Sequence, residues 1–176
     1  MSRSQKIVRN LVIFLGLCLL FITQTALYLT PLSAHEHSER SLLYGPSEVV
    51  HVEDFDEGKY ILAKYDRWYS CNSVERTLGL FWRSGGGSIG TENDKTKAVA
   101  FSWSASYEHC VAYGIINDDR VKRIELTLSN GQVLTQTKFY DRMFLILWTD
   151  KNNNNYFEKL IGYDASDKVI FESELP

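Results

Sequence analysis

His109 lies beside Cys110 and shortly after Ser102, Ser104 and Ser106, which brings together the residue types of nucleophilic catalysis. Consecutive side chains of a strand point to opposite faces, so His109 does not activate Cys110 directly. Asp54, Asp56 and Glu57 precede Gly58, and Asp118 and Asp119 follow Asn117, giving two acidic turns. Two carboxyl groups roughly 5–9 Å apart suffice for glycoside hydrolysis; turn acids otherwise simply face water. Asp150, Asn152, Asn154 and Glu158 have the spacing of calcium-loop ligands, but the loop's glycine is missing and Ile161 stands where a bidentate glutamate is required. Gly85, Gly86, Gly87 and Gly90 do not make a phosphate loop, because Thr91, Glu92, Asn93 and Asp94 follow in place of the Lys and Ser or Thr. Trp68, Tyr69, Trp82, Trp103 and Tyr107 are of the types that stack on sugars or anchor interfaces. Trp68 and Tyr69 sit among Asp66, Ser70 and Asn72, which makes Arg67, Trp68 and Tyr69 the candidate ligand contact. Nothing has the spacing of a zinc site, and no cofactor is expected.

These groups must be carried by a scaffold, and the N-terminal stretch says where that scaffold sits. Arg3, Lys6 and Arg9 precede an apolar run from Leu11 to Leu29. Its nineteen residues as a helix would measure about 28 Å, close to the roughly 30 Å hydrocarbon core of a bilayer. The basic residues lie before the run and mixed charges after it, so residues 1–10 are expected in the cytoplasm and the bulk of the chain outside. The alternative is a cleaved secretory signal. A cut after Ala34 has Leu32 at the third position back and a cut after Ala26 has Gln24, both poor. Cys18 follows Leu17, not the small residue of a lipobox. Residues 30–46 are polar and read as a linker, leaving 47–176 as an extracytoplasmic domain with a boundary allowed near Gly114.

That domain has the size for a substantial core. The chain is 13% aromatic and poor in Pro and Met, the composition of a packed, strand-rich protein. Beyond the apolar run acids exceed bases by about six, which with the outward placement argues against nucleic acid as a partner. In an oxidising compartment Cys71 and Cys110 can pair, restraining the unfolded chain by about 2–4 kcal/mol, with buried reduced thiols as the alternative.

Strand patterns run over Glu48 to Glu53, Tyr60 to Tyr65, Thr77 to Arg83, Ala98 to Trp103 and Cys110 to Ile116. Asn72 to Arg76 allows a helical turn. Asn130 and Gly131 join Val121–Ser129 to Gln132–Phe139 as a two-residue hairpin, pairing Leu128 with Val133, Leu126 with Thr135 and Ile124 with Thr137. Met143 to Trp148 is apolar throughout and reads as a central strand covered on both faces. Tyr156–Tyr163 and Lys168–Glu172 close the chain as a hairpin with Leu160 and Val169 in the core. The expected fold is all-β, an antiparallel sandwich or open barrel.

Tyr113 to Asn117, Asp118 to Ile124, Asn130 with Gly131, Phe144 to Trp148 and Gly162 to Ile170 together resemble a pattern of uncharacterised exported or membrane-anchored β-domain proteins of Bacillus-like Gram-positive bacteria. The resemblance covers about residues 113–171 and carries no catalytic motif. It implies an immunoglobulin-like or related β module at a bacterial cell surface. The leading expectation is therefore a membrane-anchored binding domain that recognises a protein or cell-envelope component and contacts the lipid bilayer through residues 11–29. A small envelope hydrolase using acids of the Asp54 to Glu57 turn, and an accessory structural subunit of a membrane complex, are the alternatives.

Overall fold

A strand without polar alternation is stable only when both its faces are covered, and Met143–Thr149 is such a strand. The computed structural model describes residues 2–56, 58–87, 90–106, 109–150 and 155–174, apart from the side chains at 19, 21–24, 87, 106 and 174. Two helices come first, α1 (Arg3–Gln24) and α2 (Pro31–Ser41). The strands are β1 (Glu48–Phe55), β2 (Gly58–Tyr65), β3 (Trp68–Thr77), β4 (Phe81–Gly87), β5 (Thr91–Glu92), β6 (Val99–Ser106), β7 (His109–Ile116), β8 (Arg123–Leu128), β9 (Val133–Gln136), β10 (Met143–Thr149), β11 (Phe157–Tyr163) and β12 (Val169–Glu174).

The strands make three antiparallel sheets. The first has the order β1-β2-β3-β4 with β5 also on β3, the second β10-β7-β6, and the third β12-β11-β8-β9. Phe144, Ile146 and Trp148 of β10 pack with Ile124, Leu126 and Leu160 of the third sheet. Met143 and Leu145, pointing the other way, pack with Tyr60, Leu62 and Tyr69 of the first sheet. The second sheet is therefore the middle layer, as the apolar run of β10 requires. The outward face of the first sheet is covered in turn by α2, where Ala34 and Tyr28 meet Ile61, Val74 and Trp82. The expected two-layer sandwich is replaced by helix on three stacked sheets, and among the described residues no barrel closes. Gly114 lies inside β7, paired with Phe101 and Phe144 on either side, so a boundary there would cut the middle sheet.

Several local expectations shift for identifiable reasons. Residues 30–46 are not a linker. Thr30 caps α2 by accepting from the Ser33 N–H at 3.1 Å, Pro31 opens the helix, and Ala34, His35, Ser38 and Glu39 are buried against the first sheet. Asn72 to Arg76 is strand, not a helical turn, and Thr77 to Arg83 is interrupted by the Leu78–Leu80 turn of the β3–β4 hairpin. In the Asn-Gly hairpin Leu126 pairs with Leu134 and Ile124 with Gln136, one residue from the expected register. Gly131 has φ 81° and its N–H donates to the Leu128 carbonyl at 2.8 Å, closing a three-residue loop of Ser129, Asn130 and Gly131. A one-residue slip turns β9 over, so Leu134 faces the core and Val133 and Thr135 face water. Leu160 is core, whereas Val169 is exposed.

The N-terminal helix also ends earlier than the apolar run. α1 stops at Gln24 and Tyr28 already belongs to the domain, bridged to Trp82. The helical apolar stretch from Leu11 is thus about 14 residues, roughly 21 Å. Among the described residues no helix is long and apolar enough to cross a membrane. The expected span Leu11–Leu29 is corrected to that extent.

Gly114 shows how tightly the layers meet. A Cβ there would stand 2.3 Å from the Ala100 carbonyl oxygen and 2.7 Å from a Phe144 ring carbon. Backbone cannot swing aside as a side-chain tip can, so Gly114→Ala is expected to destabilise the fold by about 1–3 kcal/mol or more, read as a lowered urea midpoint. Gly131→Ala, in open space but at positive φ, is expected to cost about 1 kcal/mol.

Candidate functional site

Burying polar side chains costs stability unless they are paired, and α2 buries three of them on one face. His35, Ser38 and Glu39 lie against Ser70 and Asn72 on the outward face of β3. The Asn72 amide donates to His35 Nδ1 at 3.0 Å, which leaves the ring proton on Nε2. That Nε2 stands 3.2 Å from Glu39 Oε1 and 3.3 Å from Ser47 Oγ. The Ser47 hydroxyl donates to Glu39 Oε1, and its backbone N–H donates to Oε2 at 3.2 Å. The Glu39 carboxylate therefore gathers donors from α2 and from the segment entering β1, fastening helix to sheet.

Serine, histidine and a carboxylate stand together here, but wired unlike a catalytic triad. His35 turns its protonated nitrogen toward the carboxylate, and Ser47 gives its proton to the same carboxylate, so no free base faces the hydroxyl. Burial pushes the His35 pKa down from its usual 6.5, opposed by the charges of Glu39 and Glu36. The Tyr44 and Ser70 hydroxyls are left to each other, and among the described residues the buried Asn72 Oδ1 has no hydrogen-bond partner. An unpaired atom of this kind costs about 1–3 kcal/mol, which marks this polar floor as something other than optimal packing.

Above this floor lies a groove of about 610 Å³ between α2 and the segment from Leu43 to Val49. Leu32, Leu43 and Val49 form the apolar part of its rim beside the exposed Glu36 and Arg40, and His35, Glu39, Tyr44 and Ser47 its polar floor. Leu43 is 96% exposed at φ 55°, held outward by the left-handed turn that ends α2. Sequence reasoning missed this site because it read the segment as linker. The signal was Thr30 with Pro31 as a helix start.

The residues singled out from sequence are dispersed. Tyr69 is 1% exposed and packs edge-on to Tyr113 at 5.9 Å, so it is core and not a contact residue. Trp68 points the other way, half-buried, with the exposed Arg67 guanidinium 5.7 Å from its ring and 3.2 Å from Glu92. Trp82 is buried and Trp103 exposed. Asp118 is held down to about 2 by hydrogen bonds from Arg120, and Asp119 pairs with Arg142 at 2.8 Å. These turn acids are committed to ion pairs. Of the calcium-like positions Asn152 and Asn154 lie outside the described residues, as do Tyr107 and Glu57. Among the described residues no cluster has the donors to hold a metal.

One acidic turn does meet a histidine. His109 Nε2 lies 3.0 Å from Asp56 in a small hollow of about 160 Å³ that Cys110 also lines. Burial and the charge of Asp150 push the Cys110 thiol up, so it stays protonated beside that pair. Cys71 is raised by burial alone. The expected disulfide is absent: Cys71 packs between the first and second sheets and Cys110 between the second and third, far apart on opposite sides of the middle layer. Compared with protein-family models, curated proteins and solved structures, the chain matches none.

Two measurements check these placements. A thiol titration without reductant is expected to find no reactive Cys71 or Cys110 in the native protein and both after denaturation; a missing pair in the denatured sample would restore the disulfide. For His35, the lowered folded-state value means that below pH 6.5 the unfolded chain binds a proton the folded chain does not. Its stability contribution is fully present above that value and is lost as the pH falls through the lowered one. Urea midpoints at pH 7.5 and 5.0 are expected to show this loss in the wild type and less of it in His35→Gln. Glu39→Ala, which strands the Ser47 N–H, is expected to cost about 1–3 kcal/mol.

Proposed function

We propose that this protein is a membrane-tethered extracytoplasmic binding module, and that the groove beside α2 takes an extended apolar segment of a protein or cell-envelope component. The observation that carries this reading is the groove itself: about 610 Å³, with leucine and valine on its rim over a polar floor of His35, Glu39, Tyr44 and Ser47. Ligand sites are typically clefts of about 300–1,000 Å³ in which a few polar groups orient an otherwise apolar contact. A ligand side chain would seat among Leu32, Leu43 and Val49, with a polar group turned to Tyr44 and the His35–Glu39 pair. The contact moves from Arg67, Trp68 and Tyr69 to this groove, since Tyr69 is enclosed.

Tethering rests on α1. The consecutive residues Leu11 to Leu15 are exposed, so from Leu11 onward the helix is apolar on every face, the pattern of a helix surrounded by hydrocarbon. Arg3, Lys6 and Arg9 favour a cytoplasmic start, and snorkelling of Arg9 with local thinning accommodates a short apolar stretch. The resemblance to exported proteins of Bacillus-like bacteria agrees with that setting. Retention of the segment is supported by the packing of α2, because a cut after Ala34 would remove the Thr30 cap and the first turn of that helix.

The hydrolase reading keeps one observation, the His109–Asp56 contact. Among the described residues the thiol beside the pair, Cys110, is held protonated, which favours the binding reading.

A photo-crosslinking side chain at Leu43 in the full-length protein, irradiated in native membranes, is expected to yield a discrete adduct that Val49→Arg abolishes. The same probe at Arg67 is expected to yield none. Adducts at position 67 and not at 43 would contradict the groove.

A further inference from the structure

Three leucines stand exposed where α1 joins the domain. Tyr28 and Trp82 exchange backbone hydrogen bonds of 2.8 and 2.7 Å, adding the segment after α1 to the edge of the first sheet. In this antiparallel pairing Leu29 runs alongside Phe81, toward the Leu78–Leu80 tip of the β3–β4 hairpin. Leu29, Leu78 and Leu80 are 69%, 76% and 63% exposed. Hairpin tips ordinarily carry Gly, Asn, Asp or Ser, and this one sets a leucine on each side of Gly79, with φ 52° at Leu78 and 71° at Gly79.

Cations stand behind the tip on a domain that is otherwise acidic. Lys59 Nζ and Arg76 Cζ lie 5.9 and 5.2 Å from the Trp82 ring, and Arg83 is the next residue of β4. Glu75 and Asp54 pair with Arg83 and Lys59, which leaves the hairpin base net positive. The Trp82 ring itself is buried, and the apolar tip and cationic collar succeed one another in the order of acyl chains and anionic headgroups.

We infer that the Leu78–Leu80 turn and Leu29 dock onto the lipid surface in which α1 is seated, with Lys59, Arg76 and Arg83 facing anionic headgroups. The inference rests on the reading of α1 as the tether. What selects lipid over a protein partner is continuity: α1 ends four residues before Tyr28, at most about 14 Å of chain, so the edge that carries the tip is held close to the end of the anchoring helix. Docking would give the domain a fixed orientation on the membrane in place of a free swing about residues 25–27.

The test uses the full-length chain with Cys18→Ser, in which Cys71 and Cys110 are buried. A polarity-sensitive fluorophore is placed on Leu17→Cys, Leu78→Cys or Asn130→Cys, and each protein is reconstituted into phosphatidylcholine–phosphatidylglycerol vesicles that carry a lipid-borne quencher. The expected result is a blue shift and quenching at positions 17 and 78 and neither at 130. With the label on Leu29→Cys, the pair Leu78→Asp and Leu80→Asp is expected to remove the quenching there. Quenching at 17 without quenching at 78 overturns the docking while the tether stands, and gives the tip to a protein partner. Quenching at neither overturns both. Quenching at 78 without 17 supports the docking and removes α1 as its source.

Discussion

The structure depends on one constraint, that the middle sheet is apolar on both faces. With Phe144, Ile146 and Trp148 on one side and Met143 and Leu145 on the other, β10 cannot lie at a surface. Each neighbouring sheet answers half of that demand. The third sheet then ends the series, because polar residues, among them Glu125, Thr127 and Lys159, take most of the outward positions of β8 and β11. The first sheet does not, since Ile61, Val74 and Trp82 leave it apolar on its outward face as well. A further layer is required, and α2 supplies it.

That last layer is joined by polar contacts more than by apolar ones, and this gives the molecule its candidate site. Ala34 is the one apolar residue α2 fully buries. His35 and Glu39 do the rest through Asn72 and Ser47, in a network that is strong where it is satisfied and costly where it is not. An interface built this way is specific in register but has less apolar area behind it than the sheet contacts. The groove beside α2 inherits both properties: a defined polar floor, and an apolar rim with Leu43 turned to solvent.

How much of this was legible in the sequence varied with the physics of each element. The unbroken run of β10 declared a covered strand. The Asn130–Gly131 turn was equally plain, but a dipeptide that serves both two-residue and three-residue loops leaves the register one residue undecided, and Leu134 settles it by burial. Trp68 and Tyr69 were judged by polar neighbours, yet Ser70 and Asn72 are themselves buried, and strand alternation puts only one of the two aromatics outward. α2 left no hydrophobic periodicity to read because its buried face is histidine, serine and glutamate. The cysteines looked pairable because nothing in their spacing reveals that a sheet separates them.

Residues 30–46 are thus a wall of the domain, fixed to it through Glu39 and His35, and not a flexible tether. Hydrogen exchange of the full-length protein measures this directly. Amides of α2 from Ala34 to Leu42 are expected to exchange far more slowly than an unstructured chain, with protection that falls in Glu39→Ala while that of β7 and β10 is retained. Exchange of those amides at the unstructured rate, beside protected strands, would overturn that placement.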